Sequence, residues 1–385
     1  MRWISLPGWE ALLFGVVIAV VGGLLLGGIF VLSGVYNVGA AVRHFDATNA
    51  VIRLTLRRSV ETHSFGVGDP PDLSEEALAR LGARHFALGC APCHASPAAT
   101  QNPVAAEMYP APPPLSRAVE HWETKELFWI VDNGLKFTGM PAWPGRERVE
   151  EVWALVAFLE RLPEMDAETY AEMTGLDTQE IAGATRFEFG QDLETADVAA
   201  MCDTCHGAPG AAPVHPLAAR LSGQKPEYME RALVEYSQNR RQSGIMETVA
   251  SELGEGQMEA LARRYAERES EPILSPGALD PEAVRRGQTI ALRGAPEGNV
   301  PACLSCHSTA TSGQFPRLDG LPAEYIATQL SLFSSGVRSG TVYADIMAPV
   351  ADRLSQQQIE DVAAYFASLG TSGGAAETSA REAAR

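Results

Sequence analysis

The chain has 385 residues, enough for two to four domains. Thirty basic residues against 48 acidic ones leave a net charge of −18, which excludes a nucleic-acid binder, since that role needs a basic stripe. The excess is uneven: 0 over residues 1–72, −4 over 73–165, −10 over 166–270 and −4 over 271–385. The most acidic stretch reads either as a solvated face or as a docking face for a basic partner, where opposite charge speeds encounter.

Residues 11–32 carry no charge, a run of 22 that suffices to span a bilayer. The run exceeds the apolar core of a cleaved signal peptide, although Val38-Gly39-Ala40 offers a weak cleavage site. We expect an uncleaved membrane anchor over 1–40, in contact with lipid. Gly23 and Gly27 form a G-x-x-x-G step suited to helix packing. The distribution of basic residues orients the span poorly: Arg2 precedes it, while Arg43, Arg53, Arg57 and Arg58 follow. A juxtamembrane segment over 41–73 should hold a helix at 47–63, its arginines near phospholipid headgroups.

Three copies of one word come next: Cys90-Ala-Pro-Cys93-His94, Cys202-Asp-Thr-Cys205-His206 and Cys303-Leu-Ser-Cys306-His307. All six cysteines of the chain lie in them, so none remains for a disulfide or a thiolate nucleophile. C-x-x-C-H is the signature of covalent haem attachment. The two thiols add across the haem vinyl groups, and the adjacent imidazole becomes an axial ligand of the iron. Zinc wants four ligands, and three words do not pair evenly. A thioredoxin-like dithiol wants a βαβ setting, which is missing around these words.

A haem used for electron transfer needs its second axial position filled, usually by Met, which raises the potential. Met140 follows His94 by 46 residues, Met246 follows His206 by 40, and Met347 follows His307 by 40. We expect three covalent haem c groups, attached through Cys90, Cys93, Cys202, Cys205, Cys303 and Cys306. The iron ligands would be His94 and Met140, His206 and Met246, His307 and Met347. Met108, Met165, Met173, Met201, Met229 and Met258 read as flexible core fillers.

Around the words, helices are expected at 72–89, with Ser74 as N-cap, and at 150–162. Residues 110–114 should be a rigid extended loop. Asp280-Pro281 should cap and start a further helix. The pattern divides the chain into a first haem domain at 74–165, a connector at 166–194, a second domain at 195–268, a linker at 269–282, a third domain at 283–370 and a disordered polar tail at 371–385.

The second and third domains are copies. Arg220-Leu-Ser-Gly223-Gln-Lys-Pro-Glu227-Tyr228 aligns without gaps to Arg317-Leu-Asp-Gly320-Leu-Pro-Ala-Glu324-Tyr325. Met258, Leu261 and Tyr265 then match Ile359, Val362 and Phe366, three apolar steps on one helix face. Self-similarity of this kind marks duplicated units.

Residues 195–268 and 283–369 resemble the tandem class I cytochromes c of the bacterial periplasm. The third copy carries the likeness in Phe333-Ser-Ser-Gly336-Val-Arg338, Ile346-Met347 and Ile359-Glu-Asp-Val-Ala-Ala-Tyr365-Phe366. Residues 74–162 resemble another branch of class I through Asn133-Gly-Leu-Lys136-Phe-Thr-Gly-Met140-Pro-Ala-Trp143 and Trp153-Ala-Leu-Val-Ala-Phe158-Leu. The resemblance implies an all-α chain: three small class I cytochrome c domains in tandem after one transmembrane helix. It also implies that a carbonyl upstream of each Met accepts the proximal imidazole N–H. Pro316 is placed for this in the third copy, Ala219 stands at the matching position of the second, and Pro113 or Pro114 would serve the first.

The expected function is electron transfer between a redox protein donor and an acceptor, as a subunit or partner of a respiratory dehydrogenase or oxidase complex. Haem is attached outside the bacterial cytoplasm, so the haem domains should lie in the periplasm, anchored to the inner membrane. The alternative is a haem enzyme, a peroxidase or a sulfur-compound oxidoreductase with one open iron. The spare histidines, His44, His63, His85, His121 and His215, read as surface or helix residues, with His215 the one to watch should Met246 fail to bind.

Overall fold

A computed structural model of the chain describes residues 8–176, 195–267 and 279–370, apart from Thr309. Among them every regular element is helical; the β content is two isolated bridges, Ser96 with Ala99 and Ala295 with Val300. The described residues fall into two compact units, divided after Leu56.

The N-terminal unit is built on helix Gly8–Ser33, 26 residues with a mean hydropathy of 2.7 and no buried side chain. At 1.5 Å per residue it is about 39 Å long, more than a ~30 Å hydrocarbon core requires. A second helix, Asp46–Ser64, matches the expected juxtamembrane helix. Its last turns belong to the second unit, where Val60 is fully buried, Arg57 lies over the Trp122 ring and Glu61 accepts from Arg57 and Arg58.

In the second unit, the segments that carry the first and third C-x-x-C-H words are each framed by a crossed pair of helices. Helix Glu76–Gly89 crosses Val149–Leu159, and Pro281–Arg293 crosses Gln356–Ser368. Each crossing passes through a glycine. A Cβ on Gly82 would stand 1.8 Å from the Ala154 carbonyl oxygen, and one on Gly287 would stand 1.9 Å from that of Asp361. Only glycine lets the backbones approach so closely. A bidentate pair from Arg286 to Asp361, at 2.8 and 2.7 Å, locks the third crossing. In the second segment, helix Thr195–His206 meets Glu255–Ala266 through a bidentate pair of reversed sense, Asp203 on the first helix and Arg264 on the last, at 2.8 and 2.7 Å.

The first core holds Phe86, Phe158 and Tyr170 in mutual ring contact. Tyr170 and Met173 come from helix Ala167–Thr174, inside the span expected to be a connector. The third core is built on Ile359, Val362 and Phe366, and their repeat partners Met258, Leu261 and Tyr265 are buried to the same degree. The second segment divides its apolar side chains between two small clusters.

Two helices differ from expectation in their bounds. The first begins at Glu76, with Glu75 at the N-cap position and no side-chain cap; Ser74 is not the cap, because its amide and hydroxyl donate to the Asp72 carboxylate in a turn that precedes the helix. The closing helix spans Val149–Leu159, and residues 162–164 form a separate 3-10 turn around Pro163. Asp280 caps helix Pro281–Arg293 as expected, accepting from the Glu282 and Ala283 amides. Most of the expected linker and the whole tail at 371–385 lie outside the described residues, as does the connector beyond 176.

Candidate metal centres

Each C-x-x-C-H word sits at the end of, or in, a short helical turn that ends on its histidine. In all three the imidazole Nδ1 meets a backbone carbonyl: His94 to Pro113 at 2.9 Å, His206 to Ala219 at 2.7 Å, and His307 to Pro316 at 2.9 Å. A carbonyl oxygen only accepts, so Nδ1 carries the proton and Nε2 keeps its lone pair. That tautomer is the one a metal ligand requires, with the second nitrogen oriented by a fixed partner. Ala219 replaces Pro in the second copy without loss of the bond, because the acceptor is the backbone. Burial, opposed by these carbonyls, holds all three imidazoles below their usual pKa.

The cysteines are apolar in setting. Burial pushes the Cys90 and Cys202 thiols up to about 12 and Cys303 to about 11. Thiols raised in this way carry little thiolate at neutral pH. Among the described residues no group of three His, Cys, Asp or Glu side chains is arranged to hold a metal ion.

The second and third sets converge on one cavity of about 370 Å³. Its walls include Cys202, Cys205, His206 and Met246 from one copy, and Cys303, Cys306, His307 and Met347 from the other. Packed interiors leave few voids larger than a water molecule, so a cavity of this size in an apolar core is a binding site. Where the copies meet, Arg241 and Arg338 line the same cavity. They are repeat partners, and each lies over the aromatic ring five residues earlier: Arg241 over Tyr236 at 4.6 Å, Arg338 over Phe333 at 4.3 Å. Arg241 also donates to Tyr228 and, at 3.4 Å, to Tyr325, a second pair of repeat partners. Burial opposes ionisation of the Tyr228 phenol, yet Arg241 and Arg338 outweigh it and bring the pKa down to about 8. Among the described residues neither arginine has a carboxylate in salt-bridge range. Two guanidiniums facing an apolar cavity call for anions, and the carboxylates of a porphyrin supply them. The residues therefore fit haem.

Cys90, Cys93, His94 and Met140 lie outside this cavity. Met140 closes a turn in which the Leu135 amide donates to its carbonyl at 3.2 Å and its own amide donates to Thr138 Oγ1 at 3.0 Å. Phe137, at φ +61°, is almost wholly exposed on that turn. Met108, read from the sequence as a core filler, lies against Gly139. Met246 sits in the first turn of helix Gly244–Ser251 and Met347 in the second turn of Val342–Asp352, helices capped by Ser243 and Thr341.

Two of the spare histidines are not surface residues. His85 is buried against Trp143, and burial brings its pKa down to about 4. His215 is buried too; its Nδ1 accepts from the Leu217 amide and its Nε2 lies 3.5 Å from Glu75. With both ring nitrogens engaged, His215 is not set up as a ligand.

Sequence reasoning missed Glu151. This buried carboxylate accepts from Trp143 Nε1 at 2.9 Å, the Gly244 amide at 2.8 Å, Ser243 Oγ at 2.6 Å and Arg148 at 2.9 Å. It thereby ties the segment after Met140 to the cap of the helix that carries Met246. A lone Glu in an amphipathic helix gives no signal of such a role.

Two family descriptions match the chain: "Cytochrome C oxidase, cbb3-type, subunit III" over residues 77–159 and "Cytochrome c" over 284–370. Cytochrome c-552 of Acidithiobacillus ferridurans is 35% identical over 178 residues, which is 45% of this chain and 75% of that protein. The thiosulfate dehydrogenase electron acceptor of Stutzerimonas stutzeri (strain A1501) is 34% identical, over 47% of this chain and 86% of its own length. Cytochrome c4 of Thiocapsa roseopersicina is 34% identical, over 44% and 87%. With tandem cytochrome domains and haem c implied by both family matches, the chain belongs to the class I c-type cytochromes and is an electron-transfer protein.

Proposed function

We propose that the chain carries three covalent haem c groups and passes electrons between a redox protein donor and an acceptor within a respiratory dehydrogenase or oxidase system. The haem domains, over 74–165, 195–268 and 283–370, would lie in the periplasm, held to the inner membrane by helix Gly8–Ser33. Cys90, Cys93, Cys202, Cys205, Cys303 and Cys306 attach the groups; His94, Met140, His206, Met246, His307 and Met347 ligate them. When bound, haem c supplies a reversible Fe(III)/Fe(II) change.

The observation that carries this reading is the threefold bond from His94, His206 and His307 Nδ1 to a backbone carbonyl. The chain's own residues do the rest. The carbonyls hold each imidazole in one tautomer and orientation. The apolar walls exclude water, and Arg241 and Arg338 receive negative charge. The partner reading draws on names. Relatives in two bacteria are called thiosulfate dehydrogenase electron acceptors, and residues 77–159 match an oxidase subunit description. A place between a periplasmic dehydrogenase and a terminal oxidase accommodates both.

The mass of the purified protein tests the count: it should exceed the chain by three haem groups, none of them extractable by acid–acetone. Two haems, or extractable haem, refutes it. Anchoring is tested by a high-salt wash of native membranes, after which the full chain should remain bound; a soluble protein lacking its first forty residues overturns that part.

A further inference from the structure

The two copies grip one another unequally. Side chains of the second haem segment hold the backbone that follows His307, and the third segment cannot return the hold.

Gln224, 6% exposed, donates from Nε2 to the Arg317 carbonyl at 2.9 Å and accepts at Oε1 from the Arg317 amide at 2.7 Å. Arg317 directly follows Pro316, whose carbonyl accepts the His307 Nδ1 proton. Lys225 donates from Nζ to the carbonyls of Ser308, Thr311 and Ser312 at 3.2, 3.3 and 3.1 Å, and to Thr311 Oγ1 at 3.2 Å. Arg231 completes the hold through the Gln314 side chain and carbonyl, at 2.9 and 2.7 Å. The described residues of the 308–317 loop are thus fastened by the neighbouring segment at Ser308, Thr311, Ser312, Gln314 and Arg317. In the repeat register the partners of Gln224 and Lys225 are Leu321 and Pro322. Neither side chain has a polar group, so the second centre receives no such hold.

The Lys225 ammonium carries a charge as well as donors. Its four hydrogen-bonded oxygens are dipoles that orient the charge, while the Glu227 and Asp319 carboxylates favour it and Arg317 opposes it from farther off. A positive charge beside a metal centre favours the more reduced state, and it acts more strongly where water is thin. Gln224 acts on the same ligand by another route: a fixed Pro316 carbonyl keeps the His307 Nδ1 bond strong, which raises the basicity of Nε2 and favours the oxidised state.

We propose that Lys225 and Gln224, side chains of the second haem segment, set the potential of the third haem: the charge of Lys225 raises it and the grip of Gln224 on Arg317 lowers it. This rests on the reading of His307 and Met347 as ligands. It assigns two copies of one ancestral unit different potentials through contacts made in one direction only.

The test is a redox titration of the full haem-loaded protein in detergent, followed by visible spectra. Met347→Ala identifies the third haem as the wave it displaces. Lys225→Gln should move that same wave to lower potential and leave the other two in place, and Lys225→Arg should keep it. Gln224→Leu, which copies the residue at 321, should move the wave upward and speed amide exchange in 308–317. An unmoved third wave in Lys225→Gln overturns the role of the charge, as does an equal fall in Lys225→Gln and Lys225→Arg. A Gln224→Leu protein whose third wave stays put or falls overturns the second half. If Met347→Ala displaces no single wave, the ligand reading itself has failed, which is a different result from an unmoved wave in the Lys225 variants. Should Lys225→Gln fail to mature, Lys225→Met takes its place as the neutral variant read against Lys225→Arg, and Gln224→Leu still tests the second half, because it must shift one wave upward alone.

Discussion

Replacing Glu151 by alanine should loosen the start of the helix that carries Met246, although Glu151 lies 95 residues away in sequence. The wild-type carboxylate is 6% exposed and receives four donors: Trp143 Nε1, the Gly244 amide, Ser243 Oγ and Arg148. Glu151→Ala leaves all four without this acceptor and leaves Arg148, whose side chain is 11% exposed, with Glu150 as its remaining carboxylate. Removing one partner of a buried ion pair costs roughly 3–5 kcal/mol. The neutral donors do not add to this in full, since all belong to one network. That range corresponds to roughly a hundred- to several-thousand-fold in an opening equilibrium. The assay is native-state amide exchange of the haem-loaded protein, read at Gly244, Met246 and Glu247. The Gly244 amide bonds Glu151 directly, and the Met246 and Glu247 amides bond the Ser243 cap. Exchange there should speed by about a hundredfold or more, while amides in helix Gln356–Ser368, which makes no contact with this network, keep their rates. Glu151→Gln keeps one carbonyl acceptor and should fall between. Protection within about threefold of wild type at these three amides would refute the reasoning, because the network would then be dispensable to the helix it caps.

Met246→Ala should leave the haem load unchanged, create one high-spin centre and expose one site for carbon monoxide; absorption spectra of the reduced protein with and without the gas check this. If the unmutated protein already binds the gas, Met246 is not the ligand. Gly287→Ala puts a Cβ 1.9 Å from a backbone oxygen that cannot swing away, so it should lower the stability of the third segment by about 1–3 kcal/mol or more; thermal unfolding of the haem-loaded protein reads this, and an unchanged midpoint contradicts the close crossing. His85 is held neutral by burial, with a pKa of about 4 in the fold against ~6.5 unfolded. The unfolded chain therefore binds the proton first, and stability contributed at neutral pH is lost as pH falls from about 6.5 to about 4, by an amount of the order of 3 kcal/mol. Denaturant titrations from pH 7 to 4 should show a shallower decline for His85→Phe than for wild type; parallel curves would remove His85 as the source.

Much of the fold was legible because its signals are local. A 22-residue uncharged run reads as a long apolar helix whatever surrounds it. Asp280-Pro281 starts its helix through the capping chemistry of two adjacent residues. The face formed by Ile359, Val362 and Phe366 follows from helical period alone, and the duplicate confirms the period. The errors were local competitions that composition does not rank. Ser74 has the chemistry of a cap, yet its amide and hydroxyl are engaged by the Asp72 carboxylate, and the helix starts after Glu75 with no side-chain cap. Tyr170 sits in a polar stretch, so nothing in its neighbours shows that it closes the first core.

The candidate centres divide in the same way. The six cysteines and three histidines are proposed from one recurring word, Met246 and Met347 from a distance that the repeat supplies twice, and Met140 from a similar spacing. The carbonyl partners were legible only as positions, since a backbone acceptor leaves no mark on residue type: Ala219 serves as well as Pro316. What could not be read was everything that passes between copies. Gln224, Lys225 and Glu151 each bond the backbone of another segment beside a residue proposed as a ligand. A duplicated sequence suggests two equal units. The side chains at 224 and 225 and their partners at 321 and 322 break that equality, because Gln and Lys can reach across the interface and bond a backbone where Leu and Pro cannot. Under the proposed function electrons pass from a donor to an acceptor, a direction that centres of unequal potential support, and the contacts between copies are where the surroundings of these two units become unequal.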